Sequence, residues 1–222
     1  MRSVRVAASG VVAVALLAGA APAQAAQVDA HERAATVSER PAETAAAKKS
    51  SKYKILKEFD YSRSKRYDLP LRLGEYRRNA KGKMVGFGWT KIKKKHNITK
   101  YGIIGWLAKS PNIDHLAGKR YNLTGWAHRV KCGPLSCKIV ERRKMLLAAD
   151  ETMYAVGEGP RMAFLGAVTA FCVGSVKCPT WVNTKFKPKT SVASLNAAGT
   201  GEQYLFTYKP VKEQKGRLVL AG

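Results

Sequence analysis

Acidic side chains are scarce beside basic ones: 15 Asp and Glu stand against 40 Lys and Arg, a formal net charge of +25. Glycoside hydrolysis needs two carboxylates across a cleft; Asp150, Glu151 and Glu158 cluster near a loop and could supply them, which keeps a cell-wall hydrolase open. Also missing are a Gly-x-Ser-x-Gly nucleophile elbow, a Walker phosphate loop and a His-Glu-x-x-His zinc motif. The four cysteines form two close pairs, Cys132 with Cys137 and Cys172 with Cys178. Neither pair has C-x2-C spacing, and no histidine sits beside them at ligand spacing, so zinc is the weaker reading of them. The sequence points to no metal and no cofactor. After residue 25 no apolar run approaches spanning length, so stable membrane insertion is not expected once the first segment is removed. No internal repeat is present.

What is there begins with an export signal. MRSVR supplies positive charge, VAASGVVAVALLAGAA an uncharged apolar run, and Ala23-Gln24-Ala25 a small-x-small cleavage site. Residues 1–25 are therefore read as a signal peptide and the protein as secreted. Residues 26–47 are rich in Ala, Glu, Thr and Ser, lack aromatics, and read as a flexible leader or pro-segment. Residues 48–222 amount to one domain. Setting aside Arg2, Arg5, Arg33, Arg40, Asp29, Glu32, Glu39 and Glu43, this part keeps 36 bases against 11 acids, still +25. Such a surplus repels itself and attracts polyanions, so the expected partner is RNA or another polyanion. In an exported chain an even cysteine count suggests disulfides. Three pairings are open to four cysteines; the two local ones are favoured, because Cys-Gly-Pro-Leu-Ser-Cys reads as a hairpin tip clipped by its own bridge.

The expected fold is α+β, a helical N-terminal part followed by a twisted antiparallel sheet. KYKILKEFDY fits a short helix or a strand, and Leu69, Leu71 and Leu73 alternate in an extended segment that closes at Asn79-Ala80-Lys81-Gly82. Gly86 and Gly88 then open onto a helix from Trp89 to Asn97. Its wheel puts Trp89, Ile92, Lys93 and His96 on one side and Lys91, Lys94 and Lys95 elsewhere. Ile103, Ile104, Trp106 and Leu107 form a second apolar patch. Beyond Arg120 a hairpin is expected around the Cys132–Cys137 turn, followed by RMAFLGAVTAFCV, EQYLFTYKPV and GRLVLA as strands.

GFGWTKIKKKH, Gly86 to His96, gathers most of the chemistry. Cleaving RNA without a metal takes a base for the 2′-hydroxyl proton, an acid for the leaving oxygen, and cations around the phosphoryl oxygens. Histidine titrates near neutrality, and neighbouring lysines depress its pKa while supplying charge. His96 flanked by Lys93, Lys94 and Lys95 meets both demands. The competing structural reading packs His96 against Trp89 among solvated lysines. His128 is the reserve, with a partly buried structural role expected; His115 reads as a surface residue. Aromatics interleaved with bases, Trp89 among them, suit single-stranded nucleic acid, with core packing the alternative. Lys93, Lys94, Trp89 and Arg129 make up the expected substrate-binding set.

The same residues carry a resemblance. GFGWTKIKKKH resembles the G-F-G-x-x-H-I-x-x-[RK]-H signature of toxin-type members of the barnase–EndoU–colicin–RelE-like nuclease superfamily. GAVTAFC, Gly166 to Cys172, is similar to that family's strand with a Thr-Ala-Tyr motif, and EQYLFTYKP to a final strand of its sheet. The likeness spans Gly82 to Pro210, and small secreted actinobacterial proteins with paired cysteines look similar. It implies metal-independent RNA cleavage, with His96 as the second signature histidine, Lys95 as the cation before it and Thr169 as the strand threonine. Lys91 stands where the first histidine is expected, and Phe171 where the tyrosine is. A toxin of this type implies an immunity or inhibitor protein as a further partner. Two other functions remain: a non-enzymatic cationic protein that binds nucleic acid or anionic envelope polymers, and an inhibitor of a secreted hydrolase presenting the CGPLSC loop. The enzyme reading requires His96 to open onto a basic cleft near Thr169, not to lie sealed under Trp89 and Trp106.

Overall fold

The computed structural model describes residues 52–155, 162–188, 200–215 and 217–221. The expected signal and leader, and Glu158, lie outside them. The described chain is mostly antiparallel sheet with few helices. Among the described residues the helical N-terminal part is not observed: four strands precede the first described helix. Strand β1 (Ile55–Tyr61) pairs with β2 (Ser64–Arg72), and β3 (Glu75–Arg78) with β4 (Met84–Phe87). Leu69 and Leu71 explain the extended form, since both are fully buried and Phe59 sits opposite Leu69. KYKILKEFDY has too many charges for a clear apolar period. Its strand form follows from pairing with these leucines, a contact its own residues do not specify.

Helix α1 (Gly88–His96) follows β4 directly, and α2 (Tyr101–Ala108) lies beyond it. The main sheet comes next: β5 (Ile113–His115), β6 (Arg120–Cys132), β7 (Cys137–Ala155), β8 (Met162–Cys172) and, after the short helix α3 (Thr180–Thr184), β9 (Gly201–Thr207). β6 pairs along its length with β7; its other edge is shared by β5 and β9, and β8 closes the far side of β7. A hairpin of β10 (Val211–Gln214) and β11 (Arg217–Leu220) completes the chain.

Both local disulfides form, Cys132–Cys137 across the tip of the β6–β7 hairpin and Cys172–Cys178 beyond β8. The main core joins Leu69 and Leu71 of β2, Ile92 of α1, Ile103, Ile104 and Leu107 of α2, and Leu123, Met145 and Leu147 of the sheet. A smaller core around Val130, Leu205, Val211 and Leu218 includes the first disulfide. Trp106 belongs to the main core, stacked on Tyr208. Among the described residues no helix is long and apolar enough to cross a membrane.

The start of α1 is set by backbone proximity. Gly88 has φ +71°, and a Cβ there would lie 2.7 Å from the Arg72 carbonyl oxygen. Substituting Gly88→Ala is therefore expected to cost more than about 2 kcal/mol, from the left-handed backbone and the clash together. Urea unfolding of the variant beside the wild type measures it.

Candidate functional site

α1 is anchored at both ends. Thr90 donates through its backbone N–H and its hydroxyl to the Leu73 carbonyl, at 2.9 Å each. At the C-terminus Asn97 takes the left-handed conformation, φ 57°, which asparagine tolerates, and its N–H returns to the Lys93 carbonyl. Lys93, Lys94, Lys95 and His96 occupy the last turn, where cations favour the negative end of the helix dipole. Ile92 and His96 point inward and are buried. Lys91 and Lys95 form one flank of that inward stripe, Trp89 and Lys93 the other.

The flank of Lys91 and Lys95 faces β8. Thr169 and Phe171, two residues apart, share one face of that strand. A bulge just before them, where Thr169 opposes Ala148 but Ala167 opposes Ala149, shifts the register. Together Lys91, Lys95, His96, Thr169 and Phe171 line a cavity of about 400 Å³, walled on its remaining side by Gly174, Ser175 and Val176. The His96 ring lies 5.3 Å from the Phe171 ring, and the residue is 7% exposed.

The hydrogen bonds fix the chemistry of His96. Its Nδ1 is 3.1 Å from the Val176 carbonyl oxygen. A carbonyl only accepts, so Nδ1 carries the proton and Nε2 keeps its lone pair in the neutral ring. Burial holds the imidazole below its ordinary value of 6.5; the Val176 bond opposes this, and the charges of Lys95 and Lys91 add to it. The ring is thus held neutral near pH 7 with a free basic nitrogen. Lys91, half-buried, has its ammonium pushed below 10.5 by burial and then by Lys95. The Thr169 hydroxyl is buried and has no hydrogen-bond partner. An orphaned hydroxyl beside two cations is a place for an acceptor-rich, anionic group.

The structure thus brings His96, Lys91, Lys95 and Thr169 to one cavity. Lys93 and Lys94 are exposed and do not line it. The wheel's grouping of His96 with Trp89, Ile92 and Lys93 leaves open which flank meets β8; it is the flank of Lys91 and Lys95 that lines the cavity. Trp89 packs on Tyr101, ring centroids 4.4 Å apart, so neither it nor Trp106 caps the histidine. Arg129 also lies elsewhere: it stands opposite Tyr204 of β9 and faces Glu141 at 3.7 Å. Glu141 also binds Arg143 and the Trp181 indole.

The competing sites are occupied by structural contacts. Glu151 accepts from Arg63 and Tyr67, and Asp150 from the Thr152 N–H and the Tyr154 hydroxyl, so the two carboxylates are tied within the fold. His115 Nε2 contacts the Gly118 carbonyl while its ring stacks on Tyr121. His128 is fully buried with neither ring nitrogen hydrogen-bonded. At the hairpin tip Leu135 is 96% exposed. A larger cavity of about 840 Å³ lies among Phe59, Trp106, Phe206 and Tyr208; none of the expected site residues lines it.

Sequence reasoning missed the loop 173–177. The Cys172–Cys178 spacing signals a closed loop just after Thr169, but its meeting with His96 is a long-range contact without a local signature. Comparison of the chain with models of protein families, with curated proteins and with solved structures gives no match.

Proposed function

We propose that this chain is a secreted ribonuclease-like protein of toxin type that cleaves RNA phosphodiesters without a metal. One observation carries the reading: a histidine with a free Nε2, a half-buried lysine, a second lysine and an unpartnered hydroxyl share one cavity. His96 Nε2 takes the proton of a ribose 2′-hydroxyl. The 2′-oxygen bonds to phosphorus as the bond from phosphorus to the 5′-oxygen breaks, and the Lys91 ammonium gives that oxygen a proton. The products are a 2′,3′-cyclic phosphate and a free 5′-hydroxyl; exchange with solvent resets both side chains. Lys95 and the Thr169 hydroxyl hold the non-bridging oxygens, where negative charge accumulates. The exposed lysines, Lys93 and Lys94 included, draw the polyanion in.

Lys91 in place of the signature histidine is consistent with this scheme, since a lysine lowered by burial serves as an acid. The likeness of Gly86–His96 to nuclease toxins supports the same reading, and with it export and an immunity partner. Lys91→Arg separates acid from mere cation. Arginine keeps the charge but does not release its proton, so the expected result is a fall of about 10²-fold in cleavage with RNA affinity retained. Affinity and rate measured on one preparation check it.

The direct test is a single-stranded RNA oligonucleotide incubated with the folded chain in EDTA, beside the same sequence with 2′-deoxyribose throughout. Cleavage of the RNA to cyclic-phosphate ends, with the deoxy strand intact, is expected. Equal cutting of both strands, or of neither, sinks the assignment. Binding without cutting, weakening steeply as salt rises, leaves the cationic binding protein as the function; the +25 charge favours it as the second reading.

A further inference from the structure

The cavity has three parts, and only two come from regular elements. α1 supplies Lys91, Lys95 and His96, and β8 supplies Thr169 and Phe171. The third part, Gly174 to Val176, sits on a loop of five residues whose ends are joined by the Cys172–Cys178 disulfide. That loop touches the end of α1 at three points. The Val176 carbonyl accepts from His96 Nδ1 at 3.1 Å, the Cys178 N–H donates to the His96 carbonyl at 2.9 Å, and the Asn97 amide donates to the Cys178 carbonyl at 3.0 Å. Within the loop, the Ser175 N–H reaches the Cys172 carbonyl and its hydroxyl the Lys177 carbonyl. Both of these bonds are local to the loop; its near end is tied by the Val173 N–H to the Lys144 carbonyl, and its far end by the two Cys178 bonds to α1 and by the bridge.

We propose that the Cys172–Cys178 bridge is a latch: the cavity gains its third wall, and His96 its reactive tautomer, only after these two thiols are oxidised. A neutral imidazole without a partner favours the proton on Nε2, the atom that must be free to act as a base. The Val176 carbonyl reverses that preference by claiming Nδ1–H, and the bridge, together with the two Cys178 bonds to α1, holds Val176 in place. The latch closes by thiol–disulfide exchange. A disulfide oxidant accepts two electrons and two protons from Cys172 and Cys178, leaving one new S–S bond and two molecules of the oxidant's thiol. Cys172 is 0% exposed and Cys178 2%, so attack on the finished bridge is obstructed and it acts once, during folding. A reduced chain thus stays inert where thiols are kept reduced, and an oxidised one keeps its site on returning to such a place. The Cys132–Cys137 bridge belongs to the smaller core and touches no residue of the cavity, which makes it an internal control.

The latch concerns the same cavity as the proposed ribonuclease activity and rests on that reading only where cleavage is the readout. Its test therefore measures the His96 tautomer directly, by 15N NMR of the imidazole, alongside RNA cleavage. The full chain is compared with Cys172→Ser/Cys178→Ser, with Cys132→Ser/Cys137→Ser, and with a bridged variant carrying two glycines inserted between Gly174 and Ser175. The wild type and the Cys132→Ser/Cys137→Ser protein are expected to show the proton on Nδ1. The unbridged and lengthened loops are expected to move it toward Nε2, with cleavage falling about 10²-fold. Should Cys172→Ser/Cys178→Ser lose its dispersed amide spectrum, the insertion variant decides, since it keeps the buried sulfurs joined. An unchanged tautomer in that variant overturns the latch. A shifted tautomer with no cleavage by any protein supports the latch and removes the ribonuclease reading. The bridged wild type is expected to keep its tautomer in excess dithiothreitol under native conditions; losing it there overturns the one-time closure.

Discussion

Replacing His96 by glutamine is expected to lower RNA cleavage by about 10²–10⁴-fold, the range a positioned acid–base group contributes, while RNA affinity at fixed salt stays nearly unchanged. Glutamine fills much of the buried space and stays neutral and polar, but it has no basic nitrogen. His96→Ala removes the base too, and it also opens a cavity beside Phe171, so its loss mixes chemistry with stability. The glutamine variant is the cleaner probe. The pH profile supplies a second check. As a base, His96 works when neutral, so kcat/KM rises with pH through its folded-state pKa. Burial, joined by the Lys95 and Lys91 charges and opposed by the Val176 bond, places that limb below 6.5. Lys95→Gln removes one depressing charge and is expected to move the limb upward. A profile whose acid limb persists unchanged in His96→Gln assigns it to another group and ends the proposal.

How much of this was legible beforehand differs by element. The β6–β7 hairpin was readable because the Cys-Gly-Pro-Leu-Ser-Cys turn and its flanking alternation are local signals, and both bridges pair locally. α1 was readable for the same reason, from two glycines, an apolar stripe and a basic last turn. The first two hairpins were legible only in part: the alternating leucines and the Asn79–Gly82 turn gave local signals, but the first strand did not. Ile55 to Tyr61 is charged on both faces, and its partner Leu69 gives it the strand form from outside. At the site, the wheel correctly turned Ile92 and His96 inward. It could not tell which flank of that stripe would meet β8; Lys91 and Lys95 entered the expected site through the resemblance, not through the wheel. Periodicity reports which residues share a helix face; the neighbouring strand decides which edge of that face becomes a cavity wall. The Val176 carbonyl lay further out of reach, because a backbone acceptor has no side-chain signature and its position depends on a long-range contact with α1.

His128 leads to the other large expected effect, on stability. Its ring is fully buried, neither nitrogen is hydrogen-bonded, and its imidazole is pushed down to about 4, by burial first and then by the Arg142 charge. In the unfolded chain the same group titrates near 6.5. Folding therefore keeps it neutral where the unfolded chain would bind a proton. Above pH 6.5 this costs nothing; as pH falls from 6.5 to 4 the unfolded state is favoured progressively, by about 3 kcal/mol in all. Below about 4 both states are protonated and the loss levels off. His96, also lowered, works in the same direction, so the effect is read as a difference between proteins. His128→Leu exchanges two unpaired nitrogens for an apolar side chain of similar bulk. Its stability at pH 7 is expected to equal or exceed that of the wild type. Between pH 7 and 4 it should lose about 3 kcal/mol less, as measured by urea unfolding at a series of pH values. If wild type and variant lose stability in parallel across that window, the His128 ring is protonated in the folded state, and the charge is accommodated at the β6–β9 seam without loss of stability.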